Sequence, residues 1–371
     1  MTVADTLRRI EWDDISLSLY ASNQADVMAA LLHPAPGWQQ FMTLISPAGE
    51  AYLPMMAEKA RALTRQRFGN TVSMFVPLYL SNLCANECTY CGFTLSNKIK
   101  RVKLGAQQIA EEIRAIKAMG FDSLLLVTGE HETKAGMAYF EEVMPLIRPH
   151  FSHLAMEVQP LSTGEYQTLA RLGVDSVLVY QETYQRAHYA EYHLRGQKQD
   201  FDWRLETPDR LGQAGISKIG LGALLGLSDW RIDSAFTARH LGLLQQTYWK
   251  SRYSVAFPRI KPCAGEPFKA KSEITDRQLI QLICAYRICF PEVELSLSTR
   301  ESPAFRDHVV PLAINQLSAA SQTQPGGYSD ASNALEQFST EDTRTAATVA
   351  AKLSEQGLEP VWTDWLEPFG R

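Results

Sequence analysis

The sequence predicts an α/β chain centred on a closed (β/α)8 barrel of the TIM type, with a helical extension in front and a tail packed on the barrel. Three observations predict it. Eight short β-rich runs follow one another, and most gaps between them are long enough to hold a helix. Setting aside about 70 residues at the front and about 45 at the back leaves about 256, the size that one barrel needs. Strands alternating with helices pair in parallel. The expected division is therefore a helical extension at 1–70, the barrel at 71–326 and a C-terminal extension at 327–371. An open doubly wound sheet is the competing architecture. No G-x-G-x-x-G follows the first run, so a dinucleotide fold lacks its fingerprint.

Residues 1–70 read as helical and amphipathic. In MMAEKARALTRQRFG, Met56, Ala60 and Leu63 step by four and three along one side, and Gly69 can end the helix. The β-rich runs then begin: SMFVPLYL (73–80), SLLLVTG (123–129), HLAMEVQP (153–160), SVLVYQ (176–181), KIGLGALLG (218–226), YSVAFP (253–258), VELSLS (293–298) and PLAINQLS (311–318). In GAQQIAEEIRAIKAMG (105–120), Ile109, Ile113, Ile116 and Met119 form one helical stripe that Gly120 closes. In STGEYQTLARLG (162–173), Tyr166, Leu169 and Leu172 do the same, with Ser162 or Thr163 as cap and Gly173 as stop. ETPDRLGQAG (206–215) offers Thr207 as cap and Pro208 at the first helical position. The tail from about 327 begins polar (GYSDASNALEQ) and ends with Val361, Trp362, Trp365 and Phe369.

Composition excludes several classes. Apolar residues make 45%, charged residues 21% and aromatics 10%, which suffices to bury a core without staples. The net charge of −5 gives no overall basic field for nucleic acid. The first residues, MTVADTLRRIEWDD, do not read as a secretory signal, and no uninterrupted apolar stretch is long enough to cross a membrane. A cytoplasmic location is the expectation. Six cysteines are too few for a disulfide scaffold in so long a chain.

Three of those cysteines, Cys84, Cys88 and Cys91, fall within eight residues, just after the first strand. In a barrel, the loops at the C-terminal strand ends carry the active site. Three close thiolates can hold a soft metal. Zinc in a closed site takes four ligands, and no fourth Cys or His lies nearby in sequence. A four-iron cubane held by three cysteines keeps one iron open for a substrate or cofactor. Cys284 and Cys289, in the apolar helix LIQLICAYRICF, read as buried thiols, and Cys263 lies in the loop KPCAGEP.

The spacing C-x3-C-x-(aromatic)-C, here Cys84, Cys88, Tyr90 and Cys91, resembles the radical S-adenosylmethionine enzymes. The resemblance implies one [4Fe-4S] cluster on the three cysteines, an open iron that chelates S-adenosylmethionine, and a 5′-deoxyadenosyl radical made by reductive cleavage. It also implies an electron donor of the reduced flavodoxin or ferredoxin type. VTGEH (127–131) resembles the Gly-Gly-Glu-like turn that binds the methionine amino group, which assigns Thr128, Gly129 and Glu130 to that role; Thr stands for the first Gly. By the same resemblance Gln181 and Glu182 in YQETY contact the adenosyl ribose, and Arg204 holds the methionine carboxylate.

RQRFGNTVSMFVPLYLSNLCANECTYCGF, LLLVTGEH, MEVQPL, VYQETY, RLETPDR, LSTRES and TQPGGY together resemble the tyrosine-cleaving branch of that family, from about residue 10 onward. The resemblance implies cleavage of the Cα–Cβ bond of L-tyrosine to 2-iminoacetate (dehydroglycine) and 4-methylphenol, for the thiazole of thiamine. It implies hydrogen removal from the tyrosine amino group, and thiazole synthase as the partner that consumes the imine. Hydrogenase-maturing relatives carry C-terminal cysteines for a second cluster, and residues 290–371 here contain none. A radical lyase for another aromatic amino acid, and a zinc-stabilised binding protein, are the alternatives.

The substrate carboxylate needs a cation, and Arg300 in LSTRES stands at the end of the seventh strand. The flanking Ser298 and Glu301 are candidates to touch the amine or phenol. Glu157 and Gln159 share one face of the third strand, so both are candidates for the pocket. His131 stands either near the cofactor or in solvent. The polar tail with Trp362 and Trp365 either forms an aromatic patch for thiazole synthase near the barrel mouth or closes the barrel.

Overall fold

The computed structural model describes residues 2–265, 268–329 and 334–363. Eight parallel strands close on themselves: β1 Thr71–Ser81, β2 Ser123–Thr128, β3 His153–Glu157, β4 Ser176–Leu178, β5 Lys218–Leu221, β6 Arg252–Ala256, β7 Glu294–Leu297 and β8 Gln316–Ser318. Each pairs with the next, and β8 returns to β1 through Ser73↔Gln316, Met74↔Leu317 and Phe75↔Ser318. The expected barrel is present, and the open sheet is excluded by that closure. Each β-rich run supplies one strand. The eighth is shorter than its run, because Pro311–Ala313 finish the helix Pro303–Ala313. A continuous apolar run does not mark where a helix hands over to a strand.

A ninth strand, β9 Glu359–Val361, pairs with Thr71–Ser73 at the foot of β1. Ser73 bridges to both Gln316 and Val361, so β9 takes the edge of β1 that β2 occupies only from Val76 onward. Trp362 follows it and packs edge-on against Phe121, ring centroids 5.1 Å apart, at the end of the barrel opposite the mouth. The expectation that the tail tryptophans and the mouth share one contact surface therefore fails for Trp362. Trp365 and Phe369 lie outside the described residues.

An outer helix follows each strand: Ala106–Ala118, Met137–Ile147, Thr163–Arg171, Thr207–Ala214, Trp230–Thr247, Asp276–Cys289, Pro303–Ala313 and Ala346–Glu355, with shorter helices added after β2 and β4. Ser162 and Glu165 form a reciprocal capping box, as their spacing implies. Thr207 is not a cap. The short helix Phe201–Leu205 runs into the next one, so Thr207 is already inside helical geometry, and its hydroxyl donates back to the Trp203 carbonyl.

The N-terminal helices wrap the outer helices Trp230–Thr247, Asp276–Cys289 and Pro303–Ala313. Phe41 meets Tyr286 at 4.6 Å between centroids, the Trp38 indole donates to Ala235 O at 2.8 Å, and Gln281 Nε2 donates to the Leu44 and Ser46 carbonyls. One continuous apolar cluster runs through extension and barrel, so this extension has no core of its own.

The barrel interior is lined every second residue, as strands require. Phe75, Pro77 and Tyr79 point in from β1; Ser123, Leu125 and Val127 from β2; His153, Ala155 and Glu157 from β3. Ser176, Ser254, Ser296, Ala256 and Ser318 keep much of the remaining wall small. Small inward side chains leave a hollow where a filled barrel would stack branched residues. At its floor, His153 is pinned between the Ser123 and Ser176 hydroxyls, each at 2.9 Å, and Lys218 pairs with Glu294 at 2.8 Å. Burial, with Lys218 nearby, holds His153 well below its usual pKa, so the ring is neutral.

Arg287 is fully buried under this floor. Its guanidinium donates to the carbonyls of Pro291, Val293 and Ala313 and to Asn315 Oδ1, and stacks on Phe68 at 4.6 Å. Replacing it with Met should leave those buried acceptors unpaired and cost about 3–5 kcal/mol. Urea unfolding monitored by circular dichroism measures this. A change below about 1 kcal/mol would show that the acceptors find other donors.

Candidate active site

The loop from Asn82 to Gly105 leaves β1 and returns to start the first barrel helix. Its shape comes from its own polar groups. Asn82 donates to Lys100 O and accepts from Val102 N, and Cys88 N donates to Thr94 Oγ1 at 2.8 Å. Arg101 gathers the rest: its guanidinium donates to the carbonyls of Asn82, Phe93 and Thr94, with Leu95 and Asn97 at longer range. One cation thus holds both ends of the cysteine segment. Arg101 comes from the basic run NKIKRVK, which from sequence reads as a solvated face.

Cys84, Cys88 and Cys91 all line one cavity of about 220 Å³ at the barrel mouth. Burial pushes the Cys84 thiol up to about 11, and raises Cys88 and Cys91 as well. Such thiols become thiolates when iron supplies the compensating charge. Among the described residues, no three His, Cys, Asp or Glu side chains converge on a single ion. A cubane would take each of the three thiolates on a different iron. Cys263 packs its thiol against the Tyr90 carbonyl at 3.4 Å and is not part of the cavity wall, and Cys284 and Cys289 are buried.

The turn after β2 lies flush against this loop. Gly129 N donates to Ser81 O, Ala85 N donates to Glu130 O, and a Cβ on Gly129 would sit 2.4 Å from Leu83 O. Only glycine fits. Thr128 and Glu130 flank it on the cavity wall, and the buried Thr128 Oγ1 has no hydrogen-bond partner. An unsatisfied buried hydroxyl beside a carboxylate suits an incoming ammonium.

Across the mouth stand Glu182, Lys198 and Arg204. Arg204 reaches Glu130 at 3.0 Å, Glu182 at 3.4 Å and Tyr180 O at 2.6 Å; Lys198 reaches Glu182 at 2.7 Å and Glu130 at 3.8 Å. Burial works against both carboxylates, but Arg204 and Lys198 outweigh it and hold Glu130 and Glu182 below the usual range. Glu182 has a left-handed backbone (φ 71°), fixed by its neighbours: Thr183 Oγ1 and Tyr184 N both donate to Asp233. Lys198 is a cavity residue that sequence reasoning missed, since GQKQ carries only polar residues. Gln181 does not join this group. It turns off the cavity wall, with its amide 3.4 Å from Phe201 O, because the alternation that brings Ser176, Leu178, Tyr180 and Glu182 to the wall continues through it and points it away. Tyr90 lines the cavity and bonds His193 Nε2 at 2.7 Å.

Deeper in the cavity, Arg300 faces Glu157, Tyr79 and Tyr180 and stacks on the Phe338 ring at 3.3 Å. Ser298 shares this wall and accepts from Arg300 N at 3.4 Å. Glu301 does not. It turns outward into a buried ion pair with Arg259, which anchors the loop after β7. Glu157 is pushed up to about 7, because burial outweighs the pull of Arg300. Gln159 lies beyond the end of β3 and is off the cavity wall, although both its amide atoms are buried without partners. His131 is half-buried and is off the cavity wall, with Thr133 as its side-chain contact.

Two family models match the chain: the Radical SAM superfamily over residues 78–237 and the Biotin and Thiamin Synthesis associated domain over 256–359. The chain is 59% identical to 2-iminoacetate synthase of Escherichia coli and equally to that of Salmonella typhimurium, over all 371 residues and 98% of theirs. Among solved structures, it resembles HydG, a maturase of the [FeFe]-hydrogenase, with a TM-score of 0.88 at 27% identity, covering all of this chain and 80% of that one. HydG from Carboxydothermus hydrogenoformans matches with a TM-score of 0.85 at 29% identity, over 98% of this chain and 82% of its own. Methylornithine synthase (PylB) shares the fold, with a TM-score of 0.71 at 21% identity, over 91% of this chain and 97% of its own. Identity sustained along the whole chain, on a barrel whose mouth gathers three cysteines and a cradle of paired charges, makes this protein a member of the 2-iminoacetate synthase family within the radical S-adenosylmethionine superfamily.

Proposed function

We propose that this chain cleaves the Cα–Cβ bond of L-tyrosine to 2-iminoacetate and 4-methylphenol. The observation that carries the reading is the convergence, on one cavity, of a three-cysteine loop, a zwitterion cradle and a separate arginine. The family uses a [4Fe-4S] cluster and S-adenosylmethionine, which when bound supply a 5′-deoxyadenosyl radical. Cys84, Cys88 and Cys91 would hold that cluster. Glu130 with Thr128 would bind the methionine ammonium, and Arg204 its carboxylate. Glu182 and Lys198 orient that pair by sharing charge with both. Tyr90, tied to His193, closes the side wall.

Arg300 would bind the tyrosine carboxylate, with Ser298 beside it. A buried guanidinium fixes a carboxylate in two contacts and so aims the amino group toward the cysteine end of the cavity. Glu157, Tyr79 and Tyr180 form the polar surroundings of the substrate. The imine product hydrolyses readily in water, so enclosure in the barrel protects it. A flavodoxin- or ferredoxin-type donor would supply the electron to the cluster, and the imine would pass to thiazole synthase in a complex.

Replacing any one of Cys84, Cys88 and Cys91 with Ala should abolish cluster assembly and 5′-deoxyadenosine formation, measured by iron and sulfide content and by chromatography. A single variant with a full cluster and wild-type cleavage would remove that cysteine from the ligand set. Arg300→Ala should raise the tyrosine KM by roughly 30- to 700-fold, from about 2–4 kcal/mol of a charge-assisted contact. Uncoupled cleavage of S-adenosylmethionine should persist. An unchanged KM and turnover would make Arg300 structural.

Glu157 gives a pH signature. Below about 7 its carboxyl is neutral and leaves Arg300 to the substrate. Above about 7 it is anionic and competes with the tyrosine carboxylate. The tyrosine KM should therefore rise as pH increases through 7, and Glu157→Gln should flatten that rise. Identical pH profiles for both proteins would show that Glu157 does not reach the substrate site.

A further inference from the structure

The segment 334–342 runs along the rim of the barrel mouth as a strap. Its bonds run along the loops after β6, β7, β8 and β1, which are neighbours in the barrel. Gln337 N donates to Thr323 O, Gly92 N donates to Gln337 O, Thr323 Oγ1 donates to Phe338 O, Ser339 N donates to Pro262 O, and Glu341 N donates to Thr299 O. Asp342 then enters a buried ion pair with Arg306. The strap touches the cysteine loop so closely that a Cβ on Gly92 would fall 2.7 Å from Gln337 O.

Within this strap, one side chain spans two parts of the site. Gln337 accepts from Tyr79 Oη at 2.7 Å, and its amide nitrogen points at Cys91 Sγ at 3.8 Å, the longer reach that sulfur takes. The orientation has a chemical reason. A cysteine bound to iron is a thiolate and only accepts, so the sulfur must face the NH2 end. The Tyr79 hydroxyl then supplies the donor that the carboxamide oxygen needs. Tyr79 is itself fixed edge-on to Phe93 of the cysteine loop, 6.0 Å between centroids.

We infer that Gln337 is a positioning residue that donates an N–H to the Cys91 sulfur and thereby sets the reduction potential of the cluster, with Tyr79 holding its carboxamide in register. This rests on the cluster assignment above. A donor aimed at a ligating sulfur withdraws charge from it and favours the reduced, more negative cluster. Cys91 is half-buried beside the strap, where one fixed donor counts for more than it would in open solvent.

The test is a redox titration of the anaerobically reconstituted full-length protein, followed by the electron paramagnetic resonance signal of the reduced cluster. The wild type is compared with Gln337→Leu, Gln337→Glu and Tyr79→Phe. Gln337→Leu should shift the midpoint to a more negative potential and alter the g-values. Tyr79→Phe should give a smaller shift in the same direction, because the donor remains but is no longer oriented. Gln337→Glu keeps the volume and the acceptor for Tyr79 while losing the donor, so it too should titrate more negative, and it stands in should the Leu protein fail to fold. A wild-type midpoint and wild-type g-values in either Gln337 variant, with full iron content, would overturn the inference. A wild-type protein that assembles no cluster would instead overturn the functional reading, so the two failures are separable by iron content alone.

Discussion

The site depends on one electrostatic constraint: four charged side chains share a dry space beside three thiols. Glu130, Glu182, Lys198 and Arg204 each lose water at the barrel mouth, and none tolerates burial alone. They come from four different segments, namely the turn after β2, the end of β4, the short turn Gln197–Gln199 and the helix Phe201–Leu205. Their mutual contacts at 2.7–3.8 Å therefore set where those segments stop. Asn86 ties the group to the cysteine loop, donating to Glu130 at 2.8 Å while accepting from Lys198 N at 3.0 Å. Cluster loop and charge cradle are one hydrogen-bonded object.

The barrel makes room for this object by what it leaves out. Serines and alanines at inward positions keep the bore open, while most of the branched residues of the same strands face the outer helices and form the main core. The polar floor follows from the same choice. A hollow bore admits polar groups at its base only if they are paired, and His153 and Lys218 are. Stability thus sits outside the sheet and chemistry inside it.

How much of this was legible in the sequence follows from range. The eight strands and their helices were readable because periodicity and caps act within a few residues, as Ser162 and Glu165 show. The cysteines were readable because ligand spacing is local too. Glu130, Glu182 and Arg204 came from resemblance, and the structure brings them together. Alternation extrapolated past a strand end failed for Gln159, which lies beyond β3 and off the wall; Gln181, taken from resemblance, and Glu301, taken as a neighbour of Arg300, have the opposite parity to the wall residues Tyr180, Glu182, Ser298 and Arg300 and turn away. Lys198, Arg101 and Gln337 gave no signal. Each sits in a polar stretch that composition assigns to solvent, and each is buried or half-buried only because a distant segment covers it.

The balance of the cradle has a thermodynamic consequence. Two carboxylates face two cations, so its formal charge is zero, and a zwitterionic amino-acid end brings none. On the proposed reading, binding would be an exchange of partners inside the protein, with ammonium and carboxylate replacing groups that were already neutralised. Counterions screen exposed charges over about 10 Å at 0.1 M salt but reach buried pairs far less. On the proposed reading, affinity for a zwitterion at this mouth would be insensitive to ionic strength, and ligands carrying only one of the two charges would be rejected by the unpaired partner they leave behind.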